Sequence, residues 1–93
     1  MVRTSSGFEC NPNPKFGNDW RCVDAIAECE GESEGSFKHV MAIRTLMNLI
    51  LTEKEKNALY KHVEEEDGTI PSDRIMKEIV EIFNGIGDQA KNQ

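Results

Sequence analysis

The stretch from 37 to 51 constrains the fold most, because it is more apolar than a surface helix with one buried side needs to be. Its apolar residues recur at helical spacing, in a stripe formed by Phe37, Val40, Met41, Ile43, Met47 and Ile50. Leu46, Leu49 and Leu51 widen this stripe beyond half of the helix circumference. A helix of this kind is either the centre of a small fold or carries a face that is left for a partner.

A first helix is predicted to precede this stretch. Asn18 or Asp19 can cap it by accepting a hydrogen bond from a free backbone N–H. We expect it to end near Glu30, because two glycines and two like charges follow within Gly31 to Gly35. Its buried face is expected to consist of Trp20, Val23, Ile26 and Ala27. The apolar helix then begins around Ser36.

Two more helices are predicted after it. Thr52 and Glu55 match the Thr-x-x-Glu capping box that starts a helix, and Gly68 is suited to a left-handed cap after that helix. Its buried side is expected to be Leu59, Tyr60 and Val63. The fourth helix should bury Ile75, Met76, Ile79, Ile82, Phe83 and Ile86. We expect Gly85 and Gly87 to end it.

The N-terminal residues have a different composition. Pro12 and Pro14 push the residues before them into extended conformations, and Phe8 and Phe16 are the expected anchors onto the core. The sequence therefore predicts an extended arm over 1–18, a helical domain over 19–87 and a polar C-terminal tail over 88–93. The predicted fold is all-α, a small bundle of about four helices preceded by an extended N-terminal arm.

Charge and composition exclude several classes of function. The 93 residues hold 11 Lys and Arg against 17 Asp and Glu, a net charge of -6, so we expect neither nucleic acid nor an anionic membrane as a partner. Only 38% of the residues are hydrophobic, so the core is expected to be thin and helped by self-association or a partner. The first residues lack an apolar signal core, which favours a cytoplasmic protein.

Two candidate metal sites can be excluded, one by the residue types at its ligand positions and the other by the distance between its cysteines. The stretch around Gly68 resembles the middle of an EF-hand loop, but Val63 and Arg74 would then occupy its first and twelfth positions, where calcium needs carboxylates. Cys22 and Cys29 lie two helical turns apart, roughly 10.5 Å, which is too far for one zinc ion. We therefore expect no metal and no cofactor.

Catalytic signatures are also weak. His39 and His62 are the two histidines, and neither lies in a local pattern typical of a nucleophile and its base. The odd set of Cys10, Cys22 and Cys29 suggests free thiols in a reducing compartment. We expect a binding protein rather than an enzyme, because Met41 and Met47 on an over-apolar helix suit a groove that accepts varied apolar partners.

Several segments together resemble a known family. They are Gly-Phe-Glu at 7–9, Asn-Asp-Trp at 18–20, the capping-box restart at 52–55, Leu-Tyr-Lys-His-Val at 59–63, Glu-Asp-Gly-Thr-Ile-Pro at 66–71 and Glu-Ile-Phe at 81–83. From about Gly7 to Asn92, the chain resembles the tail assembly chaperones of long-tailed bacteriophages.

This resemblance implies a small helical protein of the infected cell's cytoplasm, absent from the mature virion. It would keep apolar helical segments of the tape measure protein soluble until tail tube subunits replace it, so the tail tube protein is a second candidate partner. The resemblance also implies self-association and, in many members, a longer frameshifted form. The residues expected nearest the partner groove are Val40, Met41, Ile43, Met47, Ile50, Ile79 and Phe83.

Two alternatives belong to other classes. An acidic inhibitor could mimic nucleic acid if the carboxylates of 28–34 and 64–67 lay on one surface at phosphate-like spacing. A purely structural subunit would instead be retained in finished particles. Binding to a basic host protein would favour the first alternative, and presence in purified virions the second.

Overall fold

The structure is a computed structural model that describes the backbone of residues 1–91 and the side chains of residues 1–89. Its helices are α1 (Trp20–Gly31), α2 (Phe37–Ile50), α3 (Glu53–Val63) and α4 (Ser72–Lys91). Before them, β1 (Val2–Arg3) pairs antiparallel with β2 (Glu9–Cys10), and a short 3-10 helix spans Pro14–Asn18. The prediction of a small all-α bundle of about four helices is confirmed.

The predicted starts of the helices are confirmed by their capping bonds. The Asp19 Oδ1 atom accepts from the backbone N–H of Arg21 at 2.9 Å, and the Ser36 hydroxyl accepts from the N–H of His39 at 3.2 Å. Thr52 and Glu55 form the complete capping box, each side chain accepting from the other's backbone N–H. These bonds satisfy N–H groups that have no partner inside the helix.

The core lies around α2, which packs against both α1 and α4. Its fully buried large side chains are Leu46, Leu59, Ile79, Ile82 and Ile86. Burial of each such side chain contributes about 1.5–3 kcal/mol, so α2, α3 and α4 are held together mainly by these contacts. No helix among the described residues has both the length and the apolar character that crossing a bilayer requires.

The predicted buried face of α1 is wrong. Trp20 is 74% exposed, and the buried residues are Cys22, Ala25 and Cys29. These three share one helical face at i, i+3 and i+7, and their small size allows α1 to approach α2 closely. Val23 and Ile26 are only half-buried beside that face, and Ala27 is exposed. The predicted face includes the larger side chains of Trp20, Val23 and Ile26, whereas the residues that are buried have small side chains.

The N-terminal arm is more folded than predicted. The two short strands pair with each other, and the chain turns back between them at Gly7, whose φ of +92° favours glycine. Residues 14–18 form the 3-10 helix, whose first position suits Pro14. The predicted anchors are confirmed, since Phe8 is buried and Phe16 packs against the core.

The predicted end of α4 is also wrong, because the helix continues through Gly85 and Gly87 to Lys91. A Cβ atom at Gly85 would lie 2.7 Å from Val2 Cγ1, so this glycine allows β1 to pack directly on the helix. Glycine lowers helix stability by about 1 kcal/mol without preventing the helix. The predicted polar tail is therefore helical as far as Lys91, and residues 92–93 lie outside the described residues.

Substitution of the two glycines should have opposite effects. Gly85→Ala should destabilise the fold by about 1–3 kcal/mol, because the added methyl group displaces Val2. Gly87→Ala should stabilise it by about 0.5–1 kcal/mol, since a Cβ atom there meets nothing within 4 Å. Urea unfolding followed by circular dichroism measures both. A Gly85→Ala variant as stable as Gly87→Ala would contradict this packing.

Candidate functional site

Part of the apolar surface of α2 remains uncovered. Phe37 is 80% exposed, and Val40 and Met41 are 41% and 40% exposed, all within the first two turns of the helix. Ile70, in the connection between α3 and α4, is 40% exposed. Exposed apolar residues that lie singly need no explanation, but a contiguous group points to an interaction surface.

Val40 and Ile70 line a groove, here called the α2–α4 groove, with a volume of about 270 Å³. Its lining is mainly apolar and comes from α2, α3, the connection after α3 and the start of α4: Val40, Ile43, Arg44, Met47, Tyr60, Ile70, Ser72, Ile75 and Met76. A mainly apolar groove of this kind can receive the apolar side chains of a polypeptide.

The predicted groove residues divide into three sets. Val40, Ile43 and Met47 line the α2–α4 groove. Met41 is exposed on the same helix but is not among the lining residues, and Phe83 packs against the core. Ile43 and Met47 form the buried floor of the groove, 2% and 6% exposed, whereas Ile50 and Ile79 are core residues that do not line it.

Six of the nine residues that line the groove are not among the predicted groove residues. The sequence predicts Tyr60, Ile75 and Met76 on buried helix faces and gives Ile70 no place in the groove. An isoleucine among acidic and polar residues, just before a proline, is the available signal for Ile70, because such a loop has little reason to hold an apolar side chain.

The turn that carries Ile70 is held by specific hydrogen bonds. The Glu65 N–H donates to the Thr69 carbonyl at 2.8 Å, and the Gly68 N–H donates to the Glu65 carbonyl at 2.9 Å. The hydroxyl and the backbone N–H of Thr69 both donate to Asp67 Oδ1, and these bonds lower the pKa of the Asp67 carboxyl. The turn fixes the backbone next to Ile70 and keeps Asp67 charged.

The expected position of Gly68 as a helix cap is wrong. Glu64 is the residue that caps α3, and Gly68 lies four residues later, with the φ of +88° that the turn requires. The exposed residues from Glu64 to Asp67 form an acidic edge between the end of α3 and Ile70. In the part of the chain that the structure describes, no group of three or more His, Cys, Asp or Glu residues is placed to hold a metal ion.

A second cluster is polar and joins the N-terminal hairpin to the helices. Glu78 of α4 is 3% exposed, and its Oε1 atom accepts from the hydroxyls of Thr4, at 3.1 Å, and Ser6. The His62 Nε2 atom lies 3.1 Å from the Ser6 hydroxyl and 3.2 Å from the Ser6 carbonyl oxygen. Glu78 Oε2 has no hydrogen-bond partner among the described residues.

The Ser6 side chain contacts both the Glu78 carboxylate of α4 and the His62 ring of α3. The hollow beside the cluster, about 250 Å³, is bordered by both basic and acidic side chains. These contacts hold the N-terminal hairpin against α3 and α4.

The three thiols are all buried and free. Burial raises the pKa of each of them, and for Cys10 burial together with the nearby Glu55 carboxylate raises the pKa from 9.0 to about 11. Glu55 is held close because its Oε2 atom accepts from the N–H of Asn11 at 3.2 Å. Since the thiolate is the reactive form, none of the three is poised as a nucleophile.

Cys10 should make the stability depend on pH under alkaline conditions. Its folded-state pKa is raised, so the unfolded state loses the thiol proton first, and the contribution to stability falls from pH 9.0 to about 11. Urea unfolding at pH 8 and pH 10 measures this fall. The Cys10→Ala variant should lose less stability over the same interval, and an equal loss would contradict the assignment.

Ser6→Ala should destabilise the fold by about 1–3 kcal/mol, because a buried carboxylate loses one of its two hydroxyl donors. Ser5→Ala is the matched control, since Ser5 contacts Glu81 through its backbone N–H, which the substitution keeps. Urea unfolding of the two variants tests the difference. Equal stability of both variants would show that Ser6 does not hold the hairpin.

Comparison with known proteins supplies no family for this chain. No family model matches it, and no curated protein or solved structure is significantly similar to it.

Proposed function

We propose that this protein is a bacteriophage tail assembly chaperone that holds apolar helical segments of the tape measure protein in its α2–α4 groove. The observation that carries the proposal is an uncovered apolar groove on a small acidic helical bundle. Val40 of α2 and Ile70 of the connection between α3 and α4 both line this groove while remaining about two-fifths exposed. The sequence resemblance to this family supports the same function.

The chemistry of the groove suits a partner whose sequence varies along its length. Met76 is half-buried at the groove and contributes a flexible, polarizable side chain that adapts to different apolar shapes, and Met47 lies buried beneath it. Tyr60 adds a ring whose hydroxyl lies 3.8 Å from Met47 Sδ. Two methionines and an aromatic ring are the kind of lining used where an amphipathic helix enters a groove. A tape measure protein would present many such helices.

The modest size of the groove fits temporary binding. A contact confined to a few side chains gives limited affinity, because association must first offset lost translational and rotational freedom. Tail tube subunits could then displace the chaperone, which works in the host cytoplasm and is left out of the virion. The net charge of -6 keeps a protein with an exposed apolar patch dispersed until it binds. Phe37, exposed beside the groove, is available for self-association.

One observation favours an alternative. The described residues form two ion pairs, Arg21–Asp19 and Lys56–Glu53, so the acidic edge from Glu64 to Asp67 is free of them. Such an edge would also suit an acidic inhibitor that imitates nucleic acid. Salt-sensitive binding to a basic host protein would support that alternative. Mass spectrometry of purified virions tests the third function, a structural subunit that stays in the particle.

Co-expression with a tape measure segment tests the proposal. The wild-type chain should keep the segment in the supernatant, and Ile70→Glu should reduce the soluble amount at least several-fold, because a charge in the apolar groove is costly to bury. Trp20→Glu is the matched control, since Trp20 is an exposed apolar residue on α1, outside the groove. Both substituted positions are exposed, so both variants should fold.

The proposal fails if the wild-type protein leaves the segment insoluble. It also fails if Trp20→Glu abolishes solubility while Ile70→Glu does not, because the binding surface would then lie on α1. Circular dichroism of the purified variants separates a loss of binding from a loss of fold.

A further inference from the structure

We infer that the occupant of the α2–α4 groove is one amphipathic helix of two to three turns, with lysine or arginine residues at the end that meets the acidic edge. The inference rests on the proposed function, since it requires that the groove bind a polypeptide. It adds the conformation, the placement and the charge of the bound segment.

The groove is longer than its first cavity. A second hollow of about 400 Å³ adjoins it and shares Ile43 and Met76 with it. Val80, one helical turn beyond Met76, also lines the second hollow. The α4 residues that line the two hollows span Ser72 to Glu81, which is about 13.5 Å at 1.5 Å per residue. A helix of roughly nine residues spans that length.

The helical walls of the groove favour a helix over an extended peptide as its occupant. Both long walls, α2 and α4, are helices whose backbone groups already bond within the helix. An extended segment lying between them would leave its own N–H and C=O groups without partners, which is costly in an apolar groove. A helical segment satisfies its backbone internally and needs only apolar side chains on one face.

The charges around the groove define the flanks of that helix. At one end the acidic edge from Glu64 to Asp67 leads directly to Ile70. The second hollow is lined by three acidic residues and one lysine, which are Glu34, Asp73, Glu81 and Lys77. Among the described residues, the first hollow is lined by one charged residue, Arg44. Acidic groups therefore outnumber basic ones around the groove, and opposite charge on the partner steers and strengthens association.

The same charges argue against a second copy of this chain as the occupant. Each copy carries a net charge of -6, so bringing one acidic edge against another chain of the same charge is unfavourable at low salt. The exposed apolar residues Phe37 and Met41 of a second copy also lie on a helix that is already packed in its own bundle. A separate basic-flanked helix meets neither obstacle.

Synthetic peptides test the inference directly. Three peptides would share one apolar stripe at i, i+3, i+4 and i+7 and differ only in flanking residues, which are lysine, glutamine or glutamate. A fourth has the composition of the lysine peptide in scrambled order. Fluorescence anisotropy with the full chain at low salt should show the lysine peptide binding at least tenfold more tightly than the glutamate peptide. The difference should shrink near 1 M salt, where the Debye length is about 3 Å. The scrambled peptide should not bind.

Charge variants locate the effect. Glu65→Gln with Glu66→Gln should reduce the preference for the lysine peptide several-fold, because these exposed carboxylates lie on the acidic edge. Glu28→Gln with Glu30→Gln removes the same charge from exposed positions on α1 and is the matched control. An equal effect of both pairs would overturn the placement of the basic end at this edge.

The remaining outcomes separate this inference from the proposed function. Equal binding of the lysine and glutamate peptides overturns the charge preference. If none of the peptides binds while the tape measure segment is still solubilised, the inferred helix is wrong and the chaperone function stands. A concentration-dependent dimer that Ile70→Glu abolishes would make a second copy the occupant and overturn the inference.

Discussion

Burial of α2 between two other helices is the interaction on which the rest of this molecule depends. Its apolar residues extend around most of the helix, so α1 and α4 can both pack against it at once. Leu46 is completely enclosed by these contacts. A chain of 93 residues has few other large apolar side chains to spare, and the part of α2 that neither neighbour covers becomes one wall of the groove. Stability and binding thus draw on the same helix.

The second constraint is that the two ends of the described chain must pack on each other. Val2 lies directly on α4 at Gly85, and Thr4 and Ser6 reach the buried Glu78 carboxylate on the same helix. A buried carboxylate with an unpaired oxygen costs free energy, which its hydroxyl donors reduce but do not remove. The hairpin is therefore held by apolar contacts and positioned by polar ones.

Helix number, helix starts and the anchoring of the arm could be predicted from the sequence because they depend on local signals. The side chains of Asp19, Ser36 and Thr52 cap their helices by accepting hydrogen bonds from backbone N–H groups two or three residues later. The buried face of α1 and the end of α4 could not be predicted, because they depend on distant partners. Nothing near Gly85 in the sequence indicates that Val2 will lie against it.

The groove shows the same division. Periodicity placed Val40, Ile43 and Met47 on an apolar helix, and they line the groove. It could not separate them from Ile50, since the faces of α2 that meet α1 and α4 are equally apolar. Ile70 and Met76 enter the groove only after the connection and the start of α4 fold onto α2. A binding surface shared by three segments has no signature in any one of them.

The hydrogen bonds between the hairpin and α4 also limit when, during synthesis, the fold can be completed. Thr4 and Glu78 are 74 positions apart, so the residues between them must be synthesised before the two side chains can meet. Until then the nascent chain holds α1, α2 and α3 without the helix that completes their core, and contacts of such long range form late. During that interval, the apolar face of α2 is exposed and can contact another polypeptide that is synthesised nearby.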